Sequence, residues 1–486
     1  MADEKEQKYI DEISNLKSEI AMYKRMIFGP KSEKFISTVD PNQGKLFDES
    51  EIMSEPATEQ DKPQTITVET HTKKKPKRQT LDVSIPDSIE RVEEVIEPED
   101  KQNNFIKIGQ EVTEVLEVEP ARVYVRRIIR PKYATPEQTI VIATMIDMVL
   151  PKSNAGSSIL VKLVIDKFVD HLPFHRQLKI YKREGIKIPE STYNGWFSQI
   201  SKLLSPLYEC LIKQISDTDY LKADESPIPV QTKDKKGATH RGYQWVYQDP
   251  IKNIVAFQYH KSRSKEAPDI MLKNFRGALQ TDGYSSYEHF EKQGKVKLLG
   301  CMAHGRRYFE KALKDDKIRA EFVMAKIQKL YAIERDAKDQ KLNFDEVYKL
   351  RQEQSVPILN ELHAYLRKEK DKVVPKSDIG KAISYNLNQW HKLIRYTENG
   401  KYDIDNNTIE NKIRPLALGR KNYMFAGSHD AAQRIAMMYS FLGTCAMNDI
   451  NPSKWLKFVL ENIASHKANK LHQLIPNQEN FPELGM

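Results

Sequence analysis

The sequence predicts a multidomain α+β protein, and three observations carry that expectation. The chain has 486 residues, which at roughly 150 residues per domain corresponds to about three structural units. Between residues 219 and 299 the apolar pattern reads as three antiparallel strands, a helix and two further strands, an α/β order in which the first and fourth strands can lie side by side. The stretches 157–200, 304–399 and 407 onward follow the helical period instead. Hydrophobic residues make up 39% of the chain, enough for real cores, which excludes a wholly disordered protein.

Composition narrows the class further. The 77 Lys and Arg against 68 Asp and Glu leave a net charge of +9, a modest excess that permits a polyanionic partner without establishing one. Cys210, Cys301 and Cys445 are far apart and odd in number, which excludes a secreted disulfide framework and points to a reducing compartment. The acidic start Met-Ala-Asp-Glu-Lys-Glu leads into no apolar segment, so no secretory signal is expected. The longest apolar stretch, 140–150, is broken by Thr144 and Asp147 and falls short of the roughly 18 to 20 residues of a membrane span. A cytoplasmic protein with no membrane partner is expected.

The elements follow in order. Tyr9, Ile13, Leu16, Ile20, Tyr23 and Ile27 are spaced by 4, 3, 4, 3 and 4 residues, the seam of a short coiled coil within 1–29, which Gly29-Pro30 stops. An amphipathic helix packed on its own domain has the same spacing, and three heptads are marginal for pairing. Residues 36–70 hold eight acids and two lysines without a sustained period, so 30–87 reads as a disordered linker. It contains the positive block Lys73-Lys74-Lys75-Pro76-Lys77-Arg78. In 88–150 alternating residues such as Val112, Val115, Val118, Val123 and Val125 predict a small β-rich unit. Its strip of Arg122, Tyr124, Arg126, Arg127, Arg130, Lys132 and Tyr133 suits a nucleic-acid backbone, or is a solvated sheet face. In 151–205 three helical segments, 157–169, 174–183 and 191–200, turn through Gly185 with Ser191 or Thr192 as cap. They read either as a helix-turn-helix DNA-binding unit or as a plain three-helix packing unit. Residues 206–303 and 400–435 then form an α/β domain interrupted by a helical insertion at 304–399, and 436–486 is a C-terminal helical region.

Three acids stand out. Asp224 lies on a strand that Pro227 limits, and Asp282 ends another strand where Gly283 lets the chain turn. Glu410 lies on a helix that Asp405 or Asn406 can cap and Pro415 ends, with Asn406, Glu410 and Arg414 on one face. A lone aspartate in a strand turn is ordinarily a turn residue. If the three converge, their repulsion calls for a divalent metal, and magnesium or manganese with hard oxygen ligands suits the set. Two such ions about 4 Å apart would serve an in-line phosphoryl displacement, making a nuclease or strand-transfer centre. Glu225 is the rival ligand, and strand alternation points it to the opposite face.

Seven segments resemble, in order, the motifs of the bacterial insertion sequence 66 family of transposases. They are Phe28-Gly29-Pro30-Lys31-Ser32-Glu33-Lys34, Arg130-Pro131-Lys132-Tyr133, His171-Leu172-Pro173-Phe174-His175-Arg176-Gln177, Ala223-Asp224-Glu225-Ser226-Pro227, Gln280-Thr281-Asp282-Gly283-Tyr284, Ala303-His304-Gly305-Arg306-Arg307-Tyr308-Phe309, and Asp405 through Glu410 to Gly419-Arg420-Lys421-Asn422. The match is collinear over nearly the whole chain. The resemblance implies a ribonuclease-H-like catalytic domain with a DDE triad of Asp224, Asp282 and Glu410 as catalytic residues and metal ligands. It also implies DNA cleavage and strand transfer at element ends, a multimeric protein, and small accessory proteins encoded beside it. Arg306, Arg307, Arg414, Arg420 and Lys421 would hold phosphates near the triad. Cys301-Met302-Ala303-His304 resembles the Cys-x-x-His signature that follows the second aspartate in many DDE transposases, and one Cys with one His makes too few ligands for structural zinc. Family members usually carry two cysteine pairs near 101–104 and 134–138, where this chain has none. No zinc is therefore expected.

The resulting expectation is a magnesium-dependent DNA transposase associated with the nucleoid. Its rivals are an inactive DNA-binding transposase remnant and a metal-dependent nuclease without strand transfer. Intact acids at all three motif positions argue against the remnant.

Overall fold

The computed structural model describes residues 132–134, 140–142, 148–151, 153, 155–232 and 238–485, the first two segments as backbone only. The expected coiled coil and linker lie outside the described residues, as do Arg122, Arg126, Arg127 and Arg130. Two compact units divide what is described. In the first, β1 (Lys132–Ala134) pairs antiparallel with β2 (Ile140–Ile142), with Tyr133 opposite Val141. Lys132 of the basic strip therefore lies on β1.

The described part of the second unit carries three helices first, α1 (Ser157–Phe168), α2 (Phe174–Arg183) and α3 (Glu190–Ser216). Gly185, at φ +78°, makes the turn before α3. The expected cap is corrected: α3 starts at Glu190 behind Pro189, and no side chain caps it. Its length differs as well, with 27 residues running through the 205/206 boundary. The reason is a stripe of Tyr193, Phe197, Ile200, Leu204, Leu207, Leu211 and Ile215, all buried at helical spacing and continuous past Pro206. These helices share one hydrophobic core with the sheet and the C-terminal helices.

The sheet is mixed, in the order β5-β4-β3-β6-β7. β3 (Tyr220–Gln231), β4 (Thr239–Asp249) and β5 (Ile254–His260) run antiparallel, while β6 (Gly277–Gln280) and β7 (Val296–Leu299) add in parallel. Between them lie α4 (Glu266–Met271) and α5 (Glu288–Lys292). The first and fourth strands of this domain do lie side by side, but only Tyr220 to Lys222 of β3 pair with β6. Pro227 does not end β3, which continues to Gln231. Gln231 N and Pro229 O bond Ala426 on the side away from β4, so the missing N–H groups of Pro227 and Pro229 face an edge that β6 has vacated. Proline costs no ladder bond there.

The helical stretch comprises α6 (Met302–Ala312), α7 (Lys317–Asp339), α8 (Phe344–Leu350), a π-helical turn (Arg351–Ser355), α9 (Val356–Lys370) and α10 (Asp378–Leu393). Phe309, Ile327, Leu330, Leu362, Leu366 and Ile383 belong to a second core of its own. The chain then returns through α11 (Asn407–Tyr423), α12 (His429–Met447) and α13 (Pro452–Asn462). Pro415 does not end α11, a second correction. Beyond the proline, Leu416 is fully buried and a Cβ on Gly419 would lie 2.3 Å from the Tyr439 hydroxyl. That packing holds the helix together against a proline cost of about 3 kcal/mol. α12 lies along the edge strand β5, where Ser440 Oγ accepts from Phe257 N at 2.8 Å and Thr444 Oγ1 from Val255 N at 3.2 Å. No helix among the described residues is long and apolar enough to cross a membrane.

Candidate active site

Alternation along β3 sets the site. Lys222, Asp224 and Ser226 share the face toward α11, and Ala223 and Glu225 the other. Lys222, fully buried, donates to Asp405 O at 3.0 Å and Thr408 Oγ1 at 2.8 Å and pairs with Asp403 at 2.5 Å. Asn406 Nδ2 donates to Ala223 O at 3.0 Å. These bonds pin the start of α11 to β3. Of the two expected caps, Asp405 makes the bond: its Oδ1 accepts from Asn407 N at 2.9 Å, while Asn406 makes no side-chain cap bond. Glu410 follows in the first turn of α11.

Asp282 stands two residues past β6. Gly283, at φ +92°, turns the chain there, and Asp282 Oδ1 accepts from Tyr284 N at 2.9 Å. Tyr385 Oη donates to Asp282 O at 3.1 Å, tying the turn to α10. Asp224 Oδ1 accepts from Glu225 N at 2.7 Å.

The acids act on one another. Burial first, and then the charges of Glu225, Asp282 and Glu410, hold the Asp224 carboxyl well above the usual range. Glu225 does point to the opposite face, yet among charged neighbours it acts on Asp224 most strongly. Burial and Asp282 push Glu225 up too, against an ion pair with Arg263, whose Nε donates to Oε1 at 2.7 Å. Arg263 also lies 4.0 Å from the Tyr284 ring centroid. Glu410 is held by Arg307, with Nη2 2.7 Å from Oε2.

Among the described residues no three His, Cys, Asp or Glu side chains stand close enough to enclose a metal ion as they are placed. The donor chemistry nonetheless fits a hard divalent cation. Four carboxylates crowd one region, and both Glu225 Oε2 and Glu410 Oε1 are buried without a hydrogen-bond partner.

Of the expected phosphate contacts, Arg306 pairs with Glu310 at 3.1 Å and Arg307 lies on Glu410. Arg414 is half-buried on α11. Arg420 donates to Ser226 Oγ at 2.9 Å and to Pro227 O. Arg420 and Lys421 line a cleft of about 440 Å³ together with His240 and Arg241. Sequence reasoning missed Lys222, Arg263, His240 and Arg241. A clue to Arg263 was available, since clustered carboxylates need a cation and it lies in the loop after a strand of the same sheet.

Fold and site together define an α+β protein whose mixed sheet and returning helix gather acids from three separate segments. The chain belongs to the IS66 family of transposases: the family described as transposase IS66 matches residues 152–434, its C-terminal element residues 440–476, and the domain described as transposase C of IS166 homeodomain residues 15–93. Among relatives, uncharacterized protein y4hP of Sinorhizobium fredii is 30% identical over 95% of this chain and 88% of its own. Proteins y4jD and y4qI of the same organism are each 29% identical over 96% of this chain, covering 94% and 89% of theirs.

Proposed function

We propose that this transposase binds the ends of a mobile element and cleaves and joins DNA through a ribonuclease-H-like DDE centre made of Asp224, Asp282 and Glu410. What supports this reading is that Lys222 and Asn406 bind the start of the Glu410 helix to the strand that carries Asp224, and that Asp282 and Glu410 both help to raise the Asp224 carboxyl. The sheet order, three antiparallel strands followed by two parallel ones, supports the ribonuclease-H-like assignment. In cleavage a water oxygen displaces a 3′ oxygen at phosphorus, a hydrolysis that breaks one ester bond and frees a 3′-hydroxyl. In joining that 3′-hydroxyl displaces another 3′ oxygen, one ester bond forming as one breaks, so neither step needs an external energy source. Bound magnesium or manganese would activate the attacking oxygen and stabilise the leaving one. Asp224, Asp282 and Glu410 would supply its oxygen ligands.

Arg420, Lys421 and Arg414 on α11, Arg306 on α6 and the basic strip from Arg122 to Lys132 would contact phosphates, and their binding should weaken with salt. We assign no zinc to residues 88–150, which contain neither Cys nor His. Homo-oligomers, accessory proteins of the same element and a place on the nucleoid complete the reading.

The test is a labelled-end assay with target DNA and magnesium. Asp224→Asn, Asp282→Asn and Glu410→Gln should each abolish cleavage and joining while leaving end binding intact, and Glu225→Gln should be milder. Full strand transfer by any triad variant removes that residue from the centre. Binding alone, or cleavage without joined product, in the unaltered protein would instead identify an inactive remnant or a nuclease.

A further inference from the structure

Cys301, His304 and Arg307 follow one another at three-residue intervals, which puts them along one face at the start of α6. The segment that ends in Glu410 lies against this face. Cys301 Sγ accepts from Asn406 N at 3.2 Å, and Met302 N donates to Ile404 O at 3.1 Å. One turn on, Arg307 Nη2 donates to Glu410 Oε2 at 2.7 Å. Its Nη1 lies 3.1 Å from His304 Nε2. A guanidinium only donates, so that ring nitrogen accepts and the imidazole proton sits on Nδ1. His304 Nε2 is also 3.9 Å from Glu410 Oε1, the oxygen left buried and without a hydrogen bond.

We propose that the Cys301, His304 and Arg307 face is a positioning device for Glu410. Cys301 holds the turn that starts α11, while Arg307, steadied by His304, grips one carboxylate oxygen and leaves Oε1 to serve the site. Arg307 is then a positioning residue, although its place after the Cys-x-x-His signature suggests a phosphate contact. A ligand's hydrogen-bonded neighbours fix its orientation, and their loss commonly costs tenfold to a hundredfold in metal affinity or activity. The inference rests on Glu410 belonging to the catalytic centre.

The test uses the full-length protein and three readouts: affinity for element ends, cleavage rate against magnesium concentration, and the rise in unfolding temperature that magnesium produces. Arg307→Gln should leave end affinity within about twofold, lower the cleavage rate by about tenfold to a hundredfold and raise the magnesium requirement by a similar factor. It should also shrink the magnesium-induced rise in unfolding temperature. Arg307→Lys keeps the charge without the fork and should recover part of the rate while still needing more magnesium. His304→Ala should move the rate and the requirement in the same direction by less. If Arg307→Gln does not fold, Arg307→Lys decides: an unaltered magnesium requirement overturns the proposal. It is also overturned if end affinity falls as far as the rate at an unchanged requirement, because Arg307 would then be a DNA contact. Full activity in Glu410→Gln would overturn the reading of the centre itself, a result separate from normal behaviour of the Arg307 variants.

Discussion

Asp224 is the residue at which function is set most plainly against stability. Unfolded, it would release its proton near the ordinary value of 3.8, whereas in the fold burial and three carboxylates hold the proton on to higher pH. As pH rises above about 4, the unfolded chain therefore loses this proton first, and the folded state is progressively disfavoured. Asp224→Asn should consequently raise the unfolding temperature at neutral pH in chelator, by about 1–2 °C if the relief is about 1 kcal/mol. Magnesium should raise the midpoint of the unaltered protein and have much less effect on the variant. A lower midpoint for the variant in chelator would show that repulsion at Asp224 does not destabilise the fold.

Among the elements, the edge strand β5 shows how sheet and helix depend on each other. An exposed strand edge presents unpaired N–H and C=O groups, and here α12 covers them. Ser440 and Thr444, four residues apart and both fully buried, reach the backbone of Phe257 and Val255. Gly443 lets the helix approach, since a Cβ there would lie 2.7 Å from Val255 Cγ1. Ser440→Ala would leave a buried Phe257 N–H without its acceptor, and a loss of about 1–3 kcal/mol is expected. Urea unfolding checks it, and an unchanged midpoint would mean that another group takes over the bond.

For the whole molecule, the organising fact is that the described residues of the larger unit build two large cores, beside a small cluster of Tyr220, Ala278 and Leu299. One joins α1–α3, the sheet and the C-terminal helices, and the other belongs to the helical stretch between β7 and α11. Helices α1–α3 are thus part of the body that carries the acids. Assembly is the remaining question at this scale. The seam from Tyr9 to Ile27 predicts pairing between protomers, and Leu16→Lys with Ile20→Lys should reduce the particle mass in light scattering. An unchanged mass would favour a helix packed within its own chain.

Most of the order of strands and helices was legible in the sequence, because apolar periods of 2 and 3.6 are local and survive without knowledge of the chain's path, although the short α5 between β6 and β7 was not. The three acids were picked out through their strand-end and helix-start contexts and the family motifs around them, and the structure places Asp224 on β3, Asp282 just past β6 and Glu410 in the first turn of α11. Periodicity was less informative about the extent of helices: α3 runs past residue 200 and α11 past Pro415, each because packing outweighs a local stop signal. Only the tertiary structure decided which charges meet. Arg307 and Glu410 are 103 positions apart, and Lys222 reaches Thr408 across 186. Glu225 has alternation that points it away from α11, yet it still adds to the charge around Asp224. Coulombic interaction acts through space in all directions, whereas sequence patterns register only which way a side chain leaves its own strand or helix.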